Sequence, residues 1–299
     1  MRNFYPAIVV QGQDVIHNHF ATSHKDLLDW AGIVDDYLAV TFRPIDDKYR
    51  YDDLKHYVLM IEQHHIPEWF TKDVELAVIG QLTAIIKNMI VGGRRKLVLN
   101  EGVILNKHSI VGMAKNAKIF AMYDSAKIRM LTDGSEVLIM TDNTLINEMH
   151  SNTLIHEMLD KSRINELLGN SRVNKMYGQS KILKMRGNSR VDVVKGHSNI
   201  KNMDNEAFAY SVKHMSIVDE MYGESMIDEM WDWAIVGAMY DQAYINYMDD
   251  DAKVEIMHGN SSINQMYGNA IIVEQHEHAV INKINELAKV LKKRYKENK

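Results

Sequence analysis

From residue 99 onward the apolar positions recur every nine residues. Written in nines from Leu99, the chain gives twenty blocks that end at His278, such as Ser-Arg-Val-Asn-Lys-Met-Tyr-Gly-Gln at 171–179. The third place is Ile or Val in eighteen blocks, from Ile110 and Ile119 to Ile263 and Ile272; the exceptions are Glu101 and Ala209. The sixth place is Met in fourteen blocks, among them Met113, Met149, Met185, Met221 and Met266. Ser, Ala or Thr holds the first place in eighteen, and Gly, Asp or Asn the eighth in sixteen. Self-similarity at one short period, with no insertion, is the mark of a solenoid.

A nine-residue period is neither helical nor that of a plain strand. Places one and three share a strand face, whereas three and six do not, so a corner is expected near places four and five. The residues at place eight tolerate left-handed backbone and supply a second corner. Each block should then give two short strands with a turn after each. Two blocks can enclose a core, which predicts about 18 residues per coil, about ten coils and, from strand spacing, a ladder roughly 45–50 Å long. A coil of three blocks is the geometric alternative. Ile and Val would fill one interior column, and unbranched Met the irregular space opposite. The prolines, Pro6, Pro44 and Pro67, all precede the repeats, as expected where a proline would remove a ladder hydrogen bond.

The flanks have other periods. In residues 1–98, Ala7–Val10, Leu38–Arg43 and Tyr57–Glu62 read as strands, 23–30 as a capped short helix, and 72–90 as a helix apolar on much of its surface. This predicts a small α/β domain seated on the solenoid's N-terminal end. After residue 278, Ile281, Ile284, Leu287, Leu291 and Tyr295 fall on one helical face with lysines opposite, so 279–299 is expected to form a capping helix. The fold class is therefore mainly β: a parallel β-solenoid over 99–278, a small N-terminal α/β domain and a C-terminal capping helix.

Composition narrows the function little. The formal charge of −5 on 299 residues imposes no nucleic-acid or membrane partner, and no apolar run reaches the ~20 residues of a membrane helix. No secretory leader is visible in the first residues, and there is no cysteine. A soluble, cytoplasmic protein is expected. The histidine clusters are the candidates for chemistry: His17 and His19 with His24, His64-His65 near Glu62, and His276-Glu277-His278. Imidazoles two residues apart on a strand could share a metal. No phosphate loop, zincin helix or nucleophile elbow accompanies them, so they are read as structural or surface histidines, with no metal and no cofactor.

The solenoid exterior is more informative. Residues 161–201 carry ten Lys or Arg against two acids, while 204–251 carry twelve acids against Lys213 alone. In the acidic segment the outward second place reads Phe208, Ile217, Met226, Ile235, Tyr244 in successive blocks, with Tyr210, Trp231, Trp233, Tyr240 and Tyr247 nearby. Stripes of exposed apolar residues mark interaction sites more often than isolated ones do. The candidate partner-binding set is Phe208, Ile217, Met226, Trp231, Ile235 and Tyr244 with Arg163, Arg172, Lys181 and Arg190. With coils of about 18 residues, Phe208, Met226 and Tyr244 fall on one face and Ile217 and Ile235 on the other.

The five-residue period of pentapeptide solenoids and the Gly-Gly-x-Gly-x-Asp block of calcium-binding nonapeptides are both missing here. Asn170-Ser-Arg-Val-Asn-Lys-Met-Tyr-Gly178 and Asn188-Ser-Arg-Val-Asp-Val-Val-Lys-Gly196 instead resemble a group of bacterial and phage proteins. These carry tandem Asn-Ser-x-Val-x-x-Met-x-Gly units behind a short α/β leader. The resemblance covers about 60% of the chain. It implies a solenoid and a phage or mobile-element origin, but no activity. The expected function is a non-enzymatic scaffold that binds a protein partner and itself, as a phage inhibitor of a host complex would. An enzyme with its site in the N-terminal domain, and a phage structural component, are the alternatives.

Overall fold

The structure, a computed structural model, describes residues 5–12, 15–46, 48–276, 278–285 and 287–294. Its contacts divide the chain in two: Met1–Gly92 with Glu101–Asn106, and Gly93–Asn100 with Lys107–Lys299.

The first unit holds an antiparallel sheet of order β2-β1-β3-β4, formed by β1 (Pro6–Val10), β2 (Val15–Ile16), β3 (Tyr37–Pro44) and β4 (Tyr57–Ile61). Helix α1 (His24–Ala31) starts where the Ser23 hydroxyl accepts from Asp26 N and the Asp26 carboxylate accepts from the Ser23 backbone. It stops at Gly32, whose φ of 67° is left-handed, a terminus glycine provides at little cost. Leu27 of α1 packs on Ile8 and Ala39. Helix α2 (Lys72–Met89) is capped by the Thr71 hydroxyl. It buries Val78, Leu82, Ile86 and Met89 while Leu76 is exposed, so it presents a single stripe rather than the broad apolar surface expected. The anticipated strands and helices are all present. The two-residue β2 has no period and escaped the sequence reading.

The remaining strands form two twelve-stranded sheets, each parallel throughout. Sheet I runs from Ile90–Val91 to Val280–Ile284, and sheet II from Arg94–Leu99 to Lys289–Arg294. Successive blocks alternate between them, so Val173 pairs with Val191 and Ile164 with Ile182, each 18 residues on. There are about eleven such coils. Each block supplies one five-residue strand over places two to six, such as Arg172–Met176, rather than two short ones. The expected corner is a kink inside that strand. Ladder partners occur at places two, three, five and six, with place four skipped, as in Arg172↔Arg190, Val173↔Val191, Lys175↔Val193 and Met176↔Val194. The skip resets the alternation of faces, which is how places three and six both point inward. Thirteen of the fourteen place-six methionines are fully buried.

The turn after place six matches the expectation. Every place-eight residue from Asp124 to Gly268 has positive φ, including Asp142, Gly178, Asn205 and Asp232. Aspartates there also tie coils together: the Asp142 carboxylate accepts from Asp124 N at 2.8 Å, and that of Asp232 from His214 N at 3.1 Å. Place one is buried from Ala117 onward, whereas Leu99 and His108 in the first two blocks are exposed. Ser171 and Ser216 there donate to the carbonyls of Leu168 and Lys213 three residues back.

Two expectations are corrected. In the early coils the phase slips by one residue: Val111 and Ala114 face the interior, Ile110 is half-buried and Met113 is 37% exposed. Gly112 takes the skipped kink position, where a Cβ would come within 2.5 Å of the Lys96 carbonyl oxygen. At the other end, residues 279–294 are not a capping helix. Val280–Ile284 and Lys289–Arg294 are further ladder strands. The i, i+3 spacing of Ile281 and Ile284 is that of places three and six, and only incidentally that of a helix. Tyr295, the last residue of the supposed helical face, lies outside the described residues.

Candidate interaction surfaces

An 18-residue coil stacks like places on like, so outward side chains form columns along each sheet. On sheet I the second place reads Arg172, Arg190, Phe208, Met226, Tyr244, each paired with the next. On sheet II it reads Arg163, Lys181, Asn199, Ile217, Ile235. Nine of the ten residues singled out from the sequence thus stand in two columns on opposite faces, each changing from basic to apolar. Trp231 stands apart at place seven. Its indole donates to Glu229 at 3.0 Å, its ring lies 5.0 Å from that of Tyr247, and Lys213 Nζ sits 5.7 Å above it.

Stacking also supplies partners for the basic segment. Arg172 and Arg190 both bind Asp192, Arg190 through Nε at 2.8 Å. The Arg190 guanidinium lies 4.9 Å from the Phe208 ring centre. Lys175 reaches Glu157 at 3.6 Å and Lys184 reaches Glu166 at 3.4 Å. In each pair the cation is nearly half exposed and the carboxylate only partly covered, so water screens the attraction and each contributes about 1 kcal/mol at most. Their effect is to draw the cations against the ladder while leaving the segment net positive.

The apolar stripe is less exposed than its sequence suggests. Phe208, Met226, Ile235 and Tyr244 are half-buried by their neighbours. The most exposed apolar side chains of this segment lie at the corner that follows sheet I. There Met215 and Trp233, one coil apart at place nine, are 51% and 60% exposed, and Ile217 adjoins them. Met215 was missed because place nine varies from block to block; only its 18-residue offset from Trp233 gives it away. A shallow groove of about 650 Å³ lies at the opposite corner, lined by Glu224, Met226, Gln242, Tyr244, Asn260 and Ser262.

A further column occupies place seven of sheet II. Tyr222, Tyr240, His258 and His276 stack with ring centres 4.9, 5.2 and 3.9 Å apart. His276 also pairs with Glu274 at 2.9 Å, and Glu274 in turn binds Arg294 and, at 3.6 Å, Lys292. Burial lowers the His258 pKa, and the neighbouring His276 lowers it further. His276 had been grouped by sequence with His278; its ring contact is with a residue 18 places earlier.

The N-terminal histidines separate. His17 and His19 converge on the hydroxyl of buried Tyr5, with Nδ1 atoms at 2.8 and 3.5 Å, and burial lowers the His17 pKa. His24 instead bonds the Val40 carbonyl at 2.8 Å, and His64 and His65 are exposed. Among the described residues no group of three His, Cys, Asp or Glu is arranged to hold a metal ion, and no helix is long and apolar enough to cross a membrane. Comparison with family models, with characterised proteins and with solved structures finds no match.

Proposed function

We propose that the chain is a non-enzymatic binding protein whose solenoid holds a recognition surface rigidly for a protein partner. The observation that carries this reading is the Met215–Trp233 corner. Two large apolar side chains are held open there by a backbone bonded to coils on both sides. A hydrophobic pair exposed on a rigid ladder loses little conformational freedom when covered, and buried Trp is among the commonest binding hot spots. Acids border it at Asp232 and Asp251, which would favour a partner with cations around an apolar pocket. The likeness of the blocks to those of bacterial and phage proteins points to a host-cell complex as that partner, and to the host cytoplasm as the place of action.

The test compares the parent with a Met215→Ser/Trp233→Ser variant as baits in a bacterial lysate, read by quantitative mass spectrometry. A protein captured by the parent and depleted about tenfold or more with the variant, as loss of ~1.4 kcal/mol would give, supports the reading. Equal capture by both would remove the corner from the contact. Capture of nothing by the parent would count against the binding function itself.

A further inference from the structure

We propose that the outer face of sheet I docks on the same face of a second copy, with the two ladders antiparallel about the strand Phe208–Val212. This rests on the reading of the chain as a binding protein, but it uses residues other than the Met215–Trp233 pair.

The order of charges along sheet I carries the proposal. The two coils before Phe208–Val212 present Arg172, Lys175, Arg190 and Lys195 outward. The two coils after it present Glu224, Asp228, Glu229, Asp249 and Asp251. Between them the surface is aromatic, with half-buried Phe208 and exposed Tyr210. A two-fold axis in the interface, parallel to the strands, keeps like places opposite and reverses the order of coils. Placed on Phe208–Val212, it sets strand Arg190–Val194 against Met226–Met230 of the second copy, and Arg172–Met176 against Tyr244–Met248. Arg190 then lies within two places of Glu224, Lys195 within two of Glu229 and Lys175 within two of Asp249, while Arg172 faces Tyr244. A parallel pairing in the same register would instead set cations on cations and acids on acids.

Two interactions oppose it: Lys213, directly after the central strand, faces its own copy, and Asp192 faces Asp228, both at place four; Arg172 and Arg190 already hold Asp192, which limits the second cost. Sheet II offers no equivalent. Lys181, Lys184 and Arg186 could meet Asp219 and Glu220 of one coil, but the next strand, Ile235–Met239, is uncharged. The seven coils from Leu154 to Ser262 span roughly 34 by 17 Å. That is about 580 Å² per partner, below the ~800 Å² of a standard interface, so a weak dimer with salt-sensitive affinity is expected.

Two charge-reversal variants test this: Arg190→Glu/Lys195→Glu and Glu224→Lys/Glu229→Lys. Each alone faces like charge with like, and each should weaken dimerisation about tenfold or more in sedimentation equilibrium. Mixed in equal amounts they should form a heterodimer, because each variant's altered coil meets its complement. That rescue separates lost complementarity from lost folding, which thermal melts of each variant also report. A parent still monomeric at about 100 µM, a concentration that would populate any dimer with Kd in the micromolar range, would overturn the proposal. So would variants that dimerise like the parent, or a mixture that stays monomeric although both variants melt normally. The Met215→Ser/Trp233→Ser variant should dimerise unchanged, so failure of the corner and failure of this face give different results.

Discussion

At the scale of single residues, the nine-residue pattern is a division between side chains that must be inside and side chains that need not be. Place six shows this most sharply. Met185 is fully buried, stacked between Leu167 and Met203, and the other place-six residues of that column are also apolar until Gln275. The flexible thioether suits such a column because it fills uneven space without requiring one rotamer. A carboxylate there would have no cation or donor within the apolar stack. Met185→Asp should cost several kcal/mol, read as a large fall in the urea midpoint, whereas Met185→Leu should cost less than about 1.5 kcal/mol. A charged variant that unfolded like the parent would mean the column is not closed.

At the scale of the element, the turn decides how closely coils can approach. Gly169 and Gly178 both occupy place eight with φ near +65°, and an alanine at either pays about 1 kcal/mol for left-handed backbone. Their surroundings differ. A Cβ on Gly178 would come within 2.8 Å of the Asp160 backbone nitrogen, while one on Gly169 meets nothing closer than 3.6 Å. Gly178→Ala should therefore lower the melting temperature more than Gly169→Ala, and equal losses would show that the turns relax freely. This is also the scale at which the sequence was most and least legible. The 18-residue coil, the left-handed corners and the buried Ile and Met columns could be read because each repeats many times. The skipped ladder position at place four could not, since a kink within a strand leaves no residue type of its own. The last two strands were taken for a helix because Ile281 and Ile284 are spaced alike in both. The one-residue slip at Val111 was hidden because Ile110 and Val111 are equally apolar. In the candidate surface, the two columns followed directly from coil length, whereas the Met215–Trp233 corner depended on how far neighbours cover each side chain, which no single block specifies.

At the scale of the whole ladder, each coil is held by the coils on either side, so stability behaves as a sum of nearest-neighbour contacts and opening begins where those are weakest. The Tyr222–Tyr240–His258–His276 column carries an ionisable pair into the later coils. The two imidazoles are 3.9 Å apart between ring centres, with Glu274 on one side and Arg294 and Lys292 beyond it. Burial and His276 hold the His258 pKa below its ordinary value, so between that lowered value and about 6.5 the unfolded chain binds more protons than the folded one. The contribution is fully present above ~6.5 and is lost as pH falls through that window. Opening should therefore be local. Hydrogen exchange at pH 5.5 compared with 7.5, corrected for intrinsic rates, should show reduced protection over 253–294 while the strands between 127 and 203 keep theirs. His258→Tyr, which repeats the Tyr222–Tyr240 contact one coil later, should abolish the difference. Uniform loss across the ladder on acidification, or a difference that survives His258→Tyr, would show that other groups set the acid response.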